Sequence, residues 1–273
     1  MNAEDRNEIF ALKNTPASAF GSVRYKLKDF SVDDTDYKRV IEVFKKYDVH
    51  YFFYAGGNDS MDTCDKISRY AESVGYPVNV IGIPKTIDND LVGTDHCPGY
   101  GSAAKYVAQS VAEVALDASV YDSPLVIIVE IMGRNAGWLT AAASLASLNG
   151  SGADLIYLPE VTFDNDKFIA DVKRVVDKKQ KCVVAVSEGI RHANGKYVGE
   201  DASATDIFGH SQLGGVCGAL KTLVTGAGIK CKAIELNILQ RCAAHCASAT
   251  DIKEAFNAGE KALNSAINGE TGK

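Results

Sequence analysis

The chain has 273 residues, 46% of them hydrophobic and 23% charged, a balance that suits a globular protein able to bury a large core in two lobes. Its net charge of -6 argues against nucleic acid as a partner, because phosphate backbones reward basic surfaces. No run reaches the ~18 apolar residues that would span a bilayer, and the charged opening MNAEDRNEIFALKN lacks the apolar stretch of a signal peptide.

Apolar runs of strand length alternate with amphipathic stretches of helix length. In chain order the pattern predicts helix 36–47, strand 50–55, helix 60–74, strand 77–83, helix 102–119 and strand 125–131. It continues with helix 136–148, strand 154–158, helix 165–179, strand 182–186, helix 212–225, strand 230–236 and helix 251–267, the last capped by Thr250. Runs such as VIIVEI and VVAV are apolar on both faces, which indicates buried parallel strands in an α/β fold with right-handed crossovers. The seven cysteines show no CxxC spacing and suit free thiols in a reducing cytoplasm. Cys242, His245 and Cys246 lie close in sequence, but RCAAHCAS reads better as a small-residue helix than as a metal site, since no second ligand pair follows.

The residues after the strands carry the chemistry. In open α/β sheets the ligand crevice lies beyond the carboxyl ends of the strands, so these loops point to one shared site. Gly56-Gly57 stands between a strand and a helix, where backbone N–H groups can meet an anion, although such pairs also occur for backbone reasons alone. Asn58-Asp59 adds oxygen ligands, which suit a phosphate only if a cation or a lysine intervenes. In Lys85-Thr86-Ile87-Asp88-Asn89-Asp90, two carboxylates at i and i+2 of an extended loop project the same way. One can take a proton from an attacking hydroxyl while the other helps hold magnesium (Mg2+), and Lys85 supplies positive charge for phosphate oxygens. A solvated polar turn is the bland alternative. Arg134 can grip a phosphate in two places and Glu188 can accept from sugar hydroxyls, though each is also a common ion-pair residue.

GGNDS (56–60), GIPKTIDND (82–90), EIMGRNAGW (130–138) and VSEG (186–189) resemble the phosphofructokinases, as do FGSVRY (20–25) and LNILQR (236–241). The resemblance implies two Rossmann-like lobes with mostly parallel sheets. Residues 1–100 plus 241–273 would form an incomplete phosphoryl-donor lobe, and 101–240 a sugar-phosphate lobe. It implies that Asp88 activates the 1-hydroxyl of fructose 6-phosphate, with Thr86, Ile87 and Asp90 beside the transferring group. Met132, Gly133, Arg134, Glu188 and Ile238 would hold the sugar phosphate, Arg241 and Lys232 its 6-phosphate, and Arg24 would lie near the transferred group. Gly56 and Gly57 would receive the donor, and Asn58 stands at the position of a metal ligand.

Two positions speak to the donor. ATP-using members resemble GGDGS and PGTIDND, with glycines where this chain has Asp59 and Lys85. A carboxylate at Asp59 would repel the α-phosphate of a nucleotide, and Lys85 would stabilise the leaving phosphate of pyrophosphate. The resemblance therefore implies the pyrophosphate-dependent branch, a reversible glycolytic kinase of the cytoplasm acting as a homo-oligomer, dimer or tetramer, with no nucleic acid or membrane partner. An ATP-dependent enzyme and a non-catalytic sugar-phosphate-binding subunit are the competing readings. The chain departs from the family pattern in several places. Asn58 replaces an aspartate, Ile238 a histidine or tyrosine, and Leu125 an arginine, while residues 209–215 with His210 read as an insertion. Nothing before Phe20 resembles the family's first strand and glycine loop, and the C-terminus stops early, so a truncated chain is expected.

Overall fold

A computed structural model of the chain describes residues 4–15, 18–199 and 215–273. The elements run α1 (Arg6–Ala11), α2 (Thr35–Tyr47), β1 (Tyr51–Gly56), α3 (Asn58–Ser73), β2 (Asn79–Pro84), α4 (Tyr100–Ser119) and β3 (Leu125–Ile131). They continue with α5 (Trp138–Ala142), β4 (Leu155–Tyr157), α6 (Asn165–Lys179), β5 (Lys181–Ser187), α7 (Val216–Gly226), β6 (Cys231–Glu235) and α8 (Ala249–Ile267). Every sequence-predicted strand and long helix is present within a few residues of its expected ends, except that helix 136–148 is shorter than expected and that the expected start of α7 at Gln212 lies outside the described residues. So do His210 and most of the 209–215 segment.

The chain divides into two compact units. The first comprises Met1–Phe20, Ile87–Asp90 and Gly99–Ser248, the second Gly21–Thr86, Leu91–Pro98 and Ala249–Lys273. Both boundaries differ from the expected divisions at 100 and 241. Residues 87–90 fall in the first unit because Ile87 packs into its core.

The first unit is a four-stranded parallel sheet of order β4-β5-β3-β6. Alternate residues of its central strands feed two separate cores. Ile127, Val129 and Ile131 of β3, with Val183 and Ala185 of β5, pack with α4 and α5. Val126 and Ile128, with Cys182, Val184 and Val186, pack with α6 and α7 on the other face. This two-sided burial is why these strands read as unbroken apolar runs. Each buried Val or Ile side chain contributes about 1.5–3 kcal/mol.

In the second unit β1 and β2 pair in parallel, with Gly56 opposite Pro84. Tyr37, Ile41 and Phe44 recur at helical spacing along α2 and meet Ile67, Tyr70 and Val80 in one core. On the other face Ile81 packs against Ala262 and Ala266 of α8. Gly272 N donates to Val80 O at 2.9 Å and Gly82 N to Lys273 O at 2.7 Å, so the last residues lie along β2.

Four local expectations need correction. α8 begins at Ala249, so Thr250 lies inside its first turn rather than capping it. The stretch 136–148 is α-helical only over Trp138–Ala142 and tightens to a 3-10 helix over Ala143–Asn149. RCAAHCAS forms no α-helix but parts of two 3-10 turns, Asn237–Arg241 and Ala244–Cys246. The loop at Asp88 and Asp90 is not extended, because the buried Asn89 between them takes a left-handed φ of 54°. The alternation argument for two carboxylates pointing the same way therefore fails. The seven cysteines, all among the described residues, form no disulfide.

Candidate active site

The first unit gathers its polar groups beyond the carboxyl ends of β3, β5 and β6. The turn after β3 needs glycine: Gly133 has φ 140°, and a Cβ there would sit 2.5 Å from Ala136 O. Gly133 N donates to Glu188 Oε1 at 3.2 Å, and Ser187 Oγ donates to Gly133 O at 2.5 Å. Gly189 lets the two turns touch, since a Cβ on it would fall 2.0 Å from Arg134 O. Met132 N donates to Oε1 of the buried Gln240 at 3.2 Å, and Gln240 Nε2 donates to Asn237 O at 3.0 Å. The β6 end is thereby tied to the β3 end.

A cavity of about 100 Å³ opens here, lined by Glu130, Ile131, Met132, Glu188, Glu235, Asn237 and Gln240. Burial raises the Glu188 carboxyl above the usual carboxylate range. Asp88 and Glu130 add to that rise, while the Gly133 N–H bond and Arg134 work against it. Burial likewise raises Glu130, whose Oε2 accepts from Cys217 N at 2.8 Å in the first turn of α7.

Met132, Gly133, Arg134, Glu188 and Asp88 thus belong to one neighbourhood of this unit. Ile238 and Arg241 are exposed on the 3-10 turn after β6. Lys232 is not part of the group. It pairs in register with Ile127, well short of the β3 carboxyl end, and its Nζ lies 5.0 Å from the Tyr121 ring centroid.

In the second unit α3 starts directly at Asn58 with Gly57 as its cap, and no side chain fills that cap. Its first N–H groups and the positive end of the helix dipole are open to an anion. Gly56 has no room for a side chain, as a Cβ would lie 2.0 Å from Ser60 Oγ. Lys85 N donates to Gly56 O at 3.0 Å, and the nearest atom to a Cβ placed on Gly57 is Lys85 O at 3.8 Å. The first turn of α3, which bears Asn58 and Asp59, and the loop bearing Lys85 and Thr86 are therefore neighbours, with Asn58, Asp59 and Lys85 exposed. Arg24 is exposed on the irregular segment before α2. Asp88 and Asp90 of the first unit, and separately Asn58 and Asp59 of the second, carry side-chain oxygens of the kind a magnesium ion takes. Among the described residues, two His/Cys/Asp/Glu clusters have metal-site size: His96–Asp251–Glu254 in the second unit, and Glu130–Cys217–Glu235, whose two glutamates line the cavity beside Glu188.

The sequence reading did not single out Gln240, Ser187 or Glu130, although all three stand inside motifs it quoted. A polar residue in a motif gives no sign of which backbone group it will hold.

A family model described as phosphofructokinase matches residues 1–264. The chain is 50% identical over 273 residues to a pyrophosphate--fructose 6-phosphate 1-phosphotransferase of Xanthomonas campestris pv. campestris, covering 97% of this chain and 65% of that protein. It is 46% identical over 277 residues to the protein of the same name from Halomonas elongata, covering 100% of this chain and 66% of the relative. The crystal structure of a pyrophosphate-dependent phosphofructokinase from Nitrosospira multiformis aligns with TM-score 0.85 at 40% identity, covering 99% of this chain and 64% of that one. The chain spans just under two thirds of the length of these relatives. It belongs to the phosphofructokinase family.

Proposed function

We propose that this phosphofructokinase-family chain transfers a phosphoryl group from pyrophosphate to the 1-hydroxyl of fructose 6-phosphate, reversibly, giving fructose 1,6-bisphosphate. The observation that carries the donor choice is that the first turn of α3 and the neighbouring loop after β2 bear Asp59 and Lys85 where ATP-using members have glycine. Asp59 sets a negative charge where a nucleotide's further phosphate would pass, and Lys85 meets the charge that grows on the departing phosphate. The names of the relatives agree with this reading.

Phosphoryl transfer needs little covalent help from the protein, so positioning and electrostatics do most of the work. Asp88 accepts the proton of the acceptor hydroxyl. Glu188 accepts hydrogen bonds from the sugar, the Met132–Gly133 turn shapes its seat, and Arg134 and Arg241 hold its phosphate. Gly56 and Gly57 leave the α3 N-terminus open to the donor, with Thr86, Ile87, Asp90 and Arg24 around the transferred group. Oxygen donors on each unit, Asn58 and Asp59 on the second and Asp88 and Asp90 on the first, would be available to hold magnesium, which would supply positive charge against the phosphates. Lys232 and Ile238 are assigned to the 6-phosphate and the sugar by resemblance alone, as are the homo-oligomeric state and the cytoplasmic setting.

The test is product formation by the purified chain with fructose 6-phosphate, magnesium and pyrophosphate. Turnover is expected, and Asp88→Asn should lower kcat by about 100- to 10,000-fold with little change in KM. Binding of fructose 6-phosphate without turnover on any donor would point instead to a non-catalytic sugar-phosphate-binding protein.

A further inference from the structure

We infer that Arg191 is a positioning residue for the turn that carries Arg134. The inference rests on the acceptor reading above and adds a residue to it. Beyond β5 the chain folds back as a short hairpin. Val198 N donates to Ile190 O at 3.0 Å and His192 N to Lys196 O at 2.9 Å, while Gly195 takes a left-handed φ of 80° at the tip. Ile190 and Val198 anchor the root of this hairpin in the α6–α7 core. Arg191 and Tyr197 form an antiparallel bridge across it, so their side chains share one face.

The Arg191 guanidinium lies 4.2 Å from the centroid of the Tyr197 ring. Its Nη2 donates to Tyr197 Oη at 2.5 Å and to Asn135 Oδ1 at 2.7 Å. Asn135 directly follows Arg134. A long side chain normally gives up much of its rotamer freedom to make a hydrogen bond, but here the ring has already fixed the planar guanidinium. Arg191 is therefore a preorganised donor on a rigid hairpin that starts two residues after Glu188. The turn it grips has no regular hydrogen-bond ladder and contains a glycine at φ 140°. Side-chain ties hold that turn: Gln240 at Met132, Glu188 and Ser187 at Gly133, Glu160 at Gly137, and Arg191 at Asn135. Arg191 fixes the stretch just after Arg134, and so the place from which Arg134 reaches an anionic sugar.

The experiment compares the wild-type chain with R191M, R191K, N135A and the R191M/N135A double variant. It reads fructose 6-phosphate affinity by calorimetry, amide hydrogen exchange at residues 134–136, and the unfolding midpoint. R191M should weaken binding about tenfold, a coupling normal within one hydrogen-bond network. It should also speed exchange at 134–136 while leaving the unfolding midpoint near that of the wild type. R191K should recover part of the affinity, since an ammonium keeps the charge and a donor but lacks the planar fork of a guanidinium. The double variant should bind no more weakly than N135A, because Arg191 acts through Asn135. Additive losses, or unchanged exchange at 134–136 in R191M, would overturn the inference while leaving the acceptor reading intact. A wild-type chain that fails to bind fructose 6-phosphate removes the acceptor reading, and this inference with it.

Discussion

At the scale of single residues, Glu188 joins stability to chemistry. Its carboxyl is raised by burial, then by Asp88 and Glu130. A carboxylic acid whose pKa is higher in the folded than in the unfolded chain binds more protons when folded. Its stabilising contribution is then complete below the ordinary value of 4.5 and is lost as pH climbs through the raised value. The wild-type unfolding midpoint should accordingly fall relative to that of Glu188→Gln as pH rises above 4.5, which thermal melts across pH will check. Sugar-phosphate affinity should move the opposite way in the wild type, strengthening as Glu188 ionises and becomes a full acceptor. Gly189 gives a steric counterpart. An alanine there would drive its Cβ to 2.0 Å from Arg134 O, a backbone atom that cannot swing aside. Gly189→Ala should cost about 1–3 kcal/mol of stability, as overpacking does, and abolish fructose 6-phosphate binding. Among the residues, sequence motifs named Arg134, Glu188 and Asp88, which the first unit brings near one another, but not Gln240 or Arg191. Those two act by holding backbone or side chains from another segment, which only the folded chain brings near.

At the scale of elements, periodicity served best where burial is complete. β3 and β5 are apolar at nearly every position because helices cover both faces, and a two-sided strand has no other signature. Helix ends were harder to read. Thr250 has the right chemistry for a cap, yet α8 starts one residue earlier and turns Asp251 inward, 3.8 Å from His96 Nε2. A tertiary partner for the first turn outweighed the local preference. Asp164 is the opposite case: its Oδ1 accepts from Lys167 N at 2.7 Å and starts α6 where expected. Asp164→Ala should cost about 1 kcal/mol, measurable as a lower denaturant midpoint with unchanged slope. The Asp88–Asp90 loop misled because period-two reasoning presumes extended backbone, and Asn89 at φ 54° breaks it.

At the scale of the whole molecule, the two units divide the proposed work. The second presents the glycine-capped α3 with Asp59 and the adjacent Lys85, and the first presents the acceptor turns around Glu188. The chain crosses between them at Thr86 and Ile87, inside the motif that carries Asp88. A substitution on one unit should therefore change the kinetics of one substrate and leave those of the other near wild type. This separation makes donor choice the most direct test. The measurement is the ratio of kcat/KM for pyrophosphate to that for ATP, in the wild-type chain and in the Asp59→Gly, Lys85→Gly double variant. The wild type should favour pyrophosphate, and the double variant should lose pyrophosphate turnover while keeping its affinity for fructose 6-phosphate. A wild type that prefers ATP, or a double variant that uses pyrophosphate as well as its parent, would contradict the assignment of Asp59 and Lys85 as the residues that choose the donor.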